Sequence, residues 1–246
     1  MLISLFCFLF FPQARPLNIG IIGFGRFGQF IAKSFAKYGN VIGTSRTDYT
    51  QIAEEIGVQF IPLSHMESFV VDEDLDVIVI ATSIVSFEET VKDLVPHLRK
   101  RMEVKGKDSC PLIVDVASVK EHPRKILLDN LPEECDICCT HPMFGPDSAK
   151  DGWSGQTFVY EKTRINKVVA ESVREEEEQS NNMTDNEEAG ETIFFDNKKV
   201  VDDCEEYVEG VDRIERFLSI WEEEGCNMTP LSCQEHDEYA ANSQFM

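Results

Sequence analysis

His141 heads a run of six residues, His141-Pro142-Met143-Phe144-Gly145-Pro146, that directly follows an apolar, strand-like stretch. A histidine titrates near neutral pH and is the usual side chain for moving a proton there. At the end of a buried strand it lies where open α/β sheets bind their ligands. A second segment, Asp115-Val116-Ala117-Ser118-Val119-Lys120, ends another apolar run. Its Ser118 suits a hydrogen bond to His141 and to a substrate hydroxyl. Spacing alone leaves two readings of His141 open, a proton acceptor or a histidine that stabilises its loop.

A third group has a distinct chemistry. Gly23-Phe24-Gly25-Arg26-Phe27-Gly28 reads G-x-G-x-x-G, at the end of one apolar run and the start of a helical pattern. In that context Gly23 permits a tight turn, Gly25 lets backbone approach a pyrophosphate, and Gly28 lets helix and strand pack closely. The helix N-terminus adds N–H groups and a positive dipole end for phosphates. A packing turn with no ligand is the alternative. The next strand ends in Thr44-Ser45-Arg46-Thr47, with no acid before Asp48. An NAD site places an acid here for the ribose 2′-hydroxyl, whereas an Arg among hydroxyls suits a 2′-phosphate. NADP is therefore expected, against a merely solvated Arg46. Thr82, just past a further strand end, is another candidate cofactor contact.

The elements that must position these groups alternate regularly. Apolar strands are read at Leu17–Ile22, Asn40–Thr44, Val58–Ile61, Asp76–Ala81, Pro111–Val116, Asp136–Thr140 and Gln156–Tyr160. Helical stretches are read at Phe24–Tyr38, Thr50–Ile56, Phe87–Leu98 and Pro123–Leu131. Continuous apolar strands separated by helices imply a Rossmann-like, doubly wound α/β fold with a mainly parallel sheet. Beyond residue 207, Val211, Ile214, Phe217, Leu218 and Trp221 form a helical stripe ending at Gly225. Asn227–Leu231 reads as a last strand, and a new helix starts near Ser232. The domain is thus bounded at 17–231. Residues 232–246 are the start of a second, helical domain.

Two segments stand outside this pattern. Residues 1–16 are a hydrophobic leader: a targeting piece or a mis-assigned start, too short to span a membrane. Residues 167–207 carry Glu175-Glu176-Glu177-Glu178 and few apolar groups, and are expected to be a disordered acidic insertion. The net charge of −22 is concentrated late in the chain: residues 171–191 and 202–224 each carry a net −8. Such a surface disfavours nucleic acid as a partner. Eight cysteines include the C-x-x-C Cys135/Cys138. With no second ligand pair, no metal is expected and the thiols are taken as reduced.

The glycine loop, Asp115 with Ser118-Val119-Lys120, the Thr140–Pro146 run, Gly152-Trp153 and Glu235-His236-Asp237 together resemble the arogenate/prephenate dehydrogenases of tyrosine biosynthesis. The resemblance covers 17–166 and 208–246, and is strongest to the plant-type arogenate enzymes, which share the pattern of Ser45 to Tyr49. It implies NADP-dependent oxidative decarboxylation of arogenate to tyrosine, with His141 taking the hydroxyl proton and Ser118 orienting it. Arg26 and Phe27 join the cofactor set. Lys120, His236 and Asp237 join the substrate set. Lys120 brings positive charge or is simply solvated. Asp237 faces the substrate ammonium, favouring arogenate, or it interacts with its helix dipole. Prephenate as substrate, and an incompetent NADP-binding protein, are the alternatives. The family's helical domain is expected to be missing after Met246, in a fragment or a natural short form, which would leave this chain weakly active. A homodimer is expected only with that domain, and a plastid location if the source is a plant or alga, otherwise the cytoplasm.

Overall fold

The computed structural model describes residues 15–166 and 209–243. The expected acidic insertion and nearly all of the hydrophobic leader lie outside the described residues.

Eight strands form one sheet in the order β3-β2-β1-β4-β5-β6-β7-β8. The strands are β1 Leu17–Ile22, β2 Gly39–Ser45, β3 Gln59–Pro62, β4 Val77–Ile80, β5 Leu112–Asp115, β6 Ile137–Pro142, β7 Thr157–Arg164 and β8 Asn227–Pro230. The first six run parallel, β7 turns back antiparallel on β6, and β8 runs parallel to β7. The helices are α1 Arg26–Phe35, α2 Thr50–Glu55, α3 Ile84–Lys105, α4 Glu121–Asn130, α5 Glu209–Glu223 and α6 Cys233–Ser243. This is the expected doubly wound architecture. The order in which strands are added reverses between β1 and β4, so ligands are expected at the carboxyl edge there.

Each face of the sheet carries its own core, because successive strand residues point to opposite sides. Ile19, Ile21, Val77, Val79 and Val114 pack under α1 and α5. Ile22, Ile78, Ile80, Ile113 and Ile137 pack under α3 and α4. On the first face Trp153 stacks on Trp221 at 4.6 Å between centroids, and Phe158 stacks on Trp221 at 4.1 Å. The Gly152-Trp153 motif therefore anchors the core.

Three expectations are corrected. Helix α3 begins three residues before Phe87–Leu98 and runs seven residues beyond it. Arg101, in the C-terminal extension, is 4% exposed. Its guanidinium donates to the carbonyls of Ser109, Val70, Glu73 and Leu75 at 2.6–3.0 Å. Segment 62–75, left without regular structure by the periodicity, holds a tight turn and a single π-helical turn, Ser68–Asp72. The thiols are not all reduced, since Cys110 and Cys135 form a disulfide with Cα atoms 5.4 Å apart. Cys138, the other half of the C-x-x-C, sits in the opposite core. The partner of Cys135 instead precedes the neighbouring strand. Cys138 and Cys139 are free and buried, as expected.

Candidate active site

The glycine loop is built by close packing at the end of β1. Gly23 has φ +102°, and a Cβ there would stand 2.6 Å from the Ala81 carbonyl oxygen. A Cβ on Gly28 would stand 2.3 Å from the Gly23 carbonyl oxygen, so helix α1 can approach the strand only with glycine there. A Cβ on Gly25 would meet nothing within 4 Å. That open space lies at the start of α1, where no side chain caps the helix and no acid occupies the first turn. The uncapped N–H groups are suited to an anion.

In front of the loop lies a cleft of about 1270 Å³, lined by Gly23, Gly25, Ser45, Arg46, Asp48 and Thr82 among others. Among the described residues, the buried Thr82 hydroxyl has no hydrogen-bond partner. An unpaired buried hydroxyl is costly, so one facing a cleft fits a ligand that supplies the missing bond. These features fit a dinucleotide. Asp48 also lines the cleft, but its carboxylate accepts from the Thr50 hydroxyl (2.6 Å) and N–H (2.9 Å), which hold it below the usual carboxylate range. The other expected cofactor residues lie off this wall. Arg26 pairs with Asp147 at 2.9 Å, both exposed. Phe27 packs on Phe30. Gly28 supports the loop from behind, and Thr47 is exposed.

The proton-handling group forms at the ends of β5 and β6, also on the carboxyl edge. Strand β6 continues through Pro142, so His141 is held in the ladder opposite Val159 of β7. Its Nδ1 lies 2.8 Å from Nε2 of His236, and His236 Nδ1 lies 2.8 Å from Asp237 Oδ1. Helix α6 delivers both partners, as its fourth and fifth residues. A reciprocal cap fixes its first turn: Glu235 accepts from the Ser232 hydroxyl (2.7 Å) and N–H (2.9 Å), while Glu235 N–H donates to the Ser232 hydroxyl (3.2 Å). Glu161 of β7 accepts from Cys233 N–H at 2.5 Å and docks the helix start on the sheet.

This chain of bonds determines the tautomers. A carboxylate only accepts, so His236 Nδ1 carries its hydrogen toward Asp237 and Nε2 presents a lone pair. His141 Nδ1 must then donate, which leaves His141 Nε2 as the free acceptor. Burial, aided by the charges of Lys120 and His236 and opposed by Asp237, pushes the His141 pKa down to about 4. At neutral pH the imidazole is uncharged and able to take a proton. Burial pushes the Asp237 carboxyl up, but hydrogen bonds from Glu121 N–H, His236 and Lys120 N–H outweigh it and keep it low.

The other expected site residues fall unevenly. Ser118 is exposed, and among the described residues no hydrogen bond joins it to His141. Lys120 is neither solvated nor open to a ligand: its side chain is 2% exposed and paired with Asp115. Both Asp237 oxygens are already engaged, receiving the N–H groups of Lys120 and Glu121 at 2.9 Å and so capping α4. The contact of His236 with His141 bridges 95 positions, and spacing does not reveal it. The Ser-x-x-Glu pattern of Ser232 and Glu235 was the available signal for the helix start that makes it possible.

A family profile described as "Prephenate dehydrogenase, nucleotide-binding domain" matches residues 31–164. The chain is 35% identical to "Arogenate dehydrogenase 2, chloroplastic" of Arabidopsis thaliana, over 96% of this chain and 52% of that protein. It is 38% identical to "Arogenate dehydrogenase 1, chloroplastic" of the same plant, over 94% of this chain and 28% of that protein. The chain thus spans about half of one relative and less of the other. Its fold matches a Synechocystis arogenate dehydrogenase (TM-score 0.57, 17% identity, 92% of this chain and 63% of that one). It equally matches an Aquifex aeolicus prephenate dehydrogenase solved with hydroxyphenyl propionate and NAD+ (TM-score 0.57, 16% identity, the same shares of each). With more than half of its length matched by that profile, the chain belongs to the family of prephenate dehydrogenase nucleotide-binding domains.

Proposed function

We propose that this chain is the cofactor-binding and proton-accepting part of an NADP-dependent arogenate dehydrogenase, which forms tyrosine by oxidative decarboxylation. The observation that carries the reading is the His141–His236–Asp237 chain, on the same sheet edge as the glycine loop. The named activities of its relatives support it.

A bound nicotinamide dinucleotide supplies the hydride acceptor. The loop from Gly23 to Gly28 would hold the pyrophosphate at the start of α1, Thr82 would offer it a hydroxyl, and Ser45 with Arg46 would receive a 2′-phosphate. His141 Nε2 takes the proton of the substrate's ring hydroxyl as the carbon beneath it gives up hydride. His236 and Asp237 hold the imidazole in the required tautomer and spread the positive charge it acquires. Loss of the ring carboxylate as carbon dioxide then leaves its electron pair to the ring, the ring oxygen takes the proton back from His141 Nε2, and aromatisation makes the sequence effectively irreversible.

Prephenate is the second reading. Asp237 is saturated by N–H donors and His236, which weakens a direct contact with the ammonium of arogenate. Turnover of arogenate and prephenate, each with NADP and NAD, tests both. Preference for arogenate with NADP supports the first reading. Preference for prephenate, or for NAD, replaces the corresponding part of it. Because the relatives are longer, full turnover, dimerisation and a plastid location are proposed for the whole enzyme to which this domain corresponds. No helix among the described residues is long and apolar enough to cross a membrane.

A further inference from the structure

The loop between β5 and α4 buries an ion pair that this chemistry does not use. The Lys120 side chain is 2% exposed and that of Asp115 is fully buried. A buried ammonium is tolerated only when paired and hydrogen-bonded. Lys120 Nζ donates to Asp115 Oδ1 and, at 2.5 Å, to the carbonyl of Thr140. Asp115 Oδ1 also accepts from Ala117 N–H at 3.0 Å, and the Thr140 hydroxyl donates to the Asp115 carbonyl at 2.6 Å. Thr140 immediately precedes His141. The backbone N–H of Lys120 donates at 2.9 Å to Asp237, the carboxylate that orients His236. One residue thus joins the strand carrying His141 to the helix carrying its partners. Neither Lys120 nor Asp115 lines the cofactor cleft.

We propose that Lys120 is a positioning residue of the site rather than a substrate ligand. With Asp115 as counter-ion, it fixes the Thr140–His141 peptide and favours the neutral, proton-accepting form of His141. Among the described residues, the charged and titratable groups acting on His141 are Lys120 from the loop, backed by Asp115, and His236 and Asp237 from α6. Strand β7 opposes it with uncharged Val159. Lys120 and His236 disfavour a proton on His141, and Asp237 favours one. The inference stands on this geometry whichever substrate the enzyme uses.

The test is the NMR titration of His141 in the full chain, unaltered and with Lys120→Met. Methionine keeps the volume of the stem, removes the charge and leaves Asp115 uncompensated. His141 should titrate about 1–3 pH units higher, the size that a neighbouring charge produces. The pair Asp115→Asn with Lys120→Met removes both charges together, which buried pairs tolerate better than loss of one partner. It should move His141 in the same direction by less. Unchanged cofactor affinity by calorimetry reports an intact fold. With an active enzyme, the acid limb of the turnover profile should shift upward in step, while KM at pH 8 stays fixed.

A His141 titration superimposable on that of the unaltered protein overturns the proposal. It is read in Lys120→Met or, should that variant not fold, in the paired variant. A raised KM with an unmoved pH profile also overturns it, because that is the signature of a substrate ligand. Failure of the dehydrogenase reading itself would appear in the substrate assays and leave the titration untouched.

Discussion

At the scale of single residues, the proposed site separates a group with a free acceptor, His141, from the groups that hold it. Replacing His141 with Asn removes the free Nε2 while keeping a polar side chain. Turnover by the active enzyme should fall about 10²–10⁴-fold, with NADP affinity nearly unchanged because the glycine loop lies on other strands. Asp237→Asn keeps the shape but can offer its amide N–H to His236, which would reverse the hydrogen-bond order along the chain. Steady-state kinetics should show a fall in kcat of at least about tenfold, since a misoriented base loses much of its general-base contribution. Arg46→Asp places a carboxylate where the 2′-phosphate is proposed to sit. Calorimetry with both cofactors should show the NADP preference inverted to NAD. Equal affinities in the unaltered protein would remove the basis for assigning that role to Arg46.

At the scale of elements, the site depends on the register of α6. Ser232 and Glu235 fix the first turn, and His236 and Asp237 follow directly from it. Ser232→Ala removes one side of the reciprocal cap, a loss of about 1 kcal/mol. It should lower the denaturation midpoint slightly and reduce turnover through a less ordered His236, with cofactor binding intact. The glycine loop depends on a different fit. Gly28→Ala would bring a methyl against the Gly23 carbonyl, so it should abolish cofactor binding by displacing α1 while leaving most of the sheet folded, as seen by circular dichroism.

At the scale of the whole molecule, pH and redox state act at opposite edges of the sheet. His141 is held near 4 in the folded protein against an ordinary value of 6.5. The unfolded chain therefore binds the proton more readily, and stability rises with pH wherever that difference operates. This contribution is fully present above about pH 6.5 and is lost progressively toward about pH 4. Urea midpoints measured across that window should fall with acidity, and the fall should be shallower in His141→Asn. The Cys110–Cys135 disulfide ties the loops that enter β5 and β6, at the amino edge. Closing a loop between residues 25 apart contributes about 2–4 kcal/mol. Cys110→Ser should lower the denaturation midpoint accordingly and leave cofactor affinity and the His141 titration unchanged.

The amino-acid sequence by itself determined what depends on near neighbours. Strand and helix order follows from runs of β-branched residues and from helical spacing. The glycine loop is legible because three glycines at fixed offsets answer a local packing problem. His141 is legible because its motif adjoins the apolar run that forms its strand. Only the tertiary structure decided which distant groups meet. Lys120 reads as a substrate-side or solvated charge, and nothing in the spacing marks Arg101 as buried, yet each is buried because carbonyls and a carboxylate from other segments satisfy it. Cys135 pairs with Cys110 rather than with the nearer Cys138, because adjacent strands bring the entering loops together while Cys138 turns to the other face. Asp237 lies in one helix and caps another, and His236 reaches His141 only when α6 docks on β7. Such contacts depend on the packing of elements, and linear spacing carries no record of them.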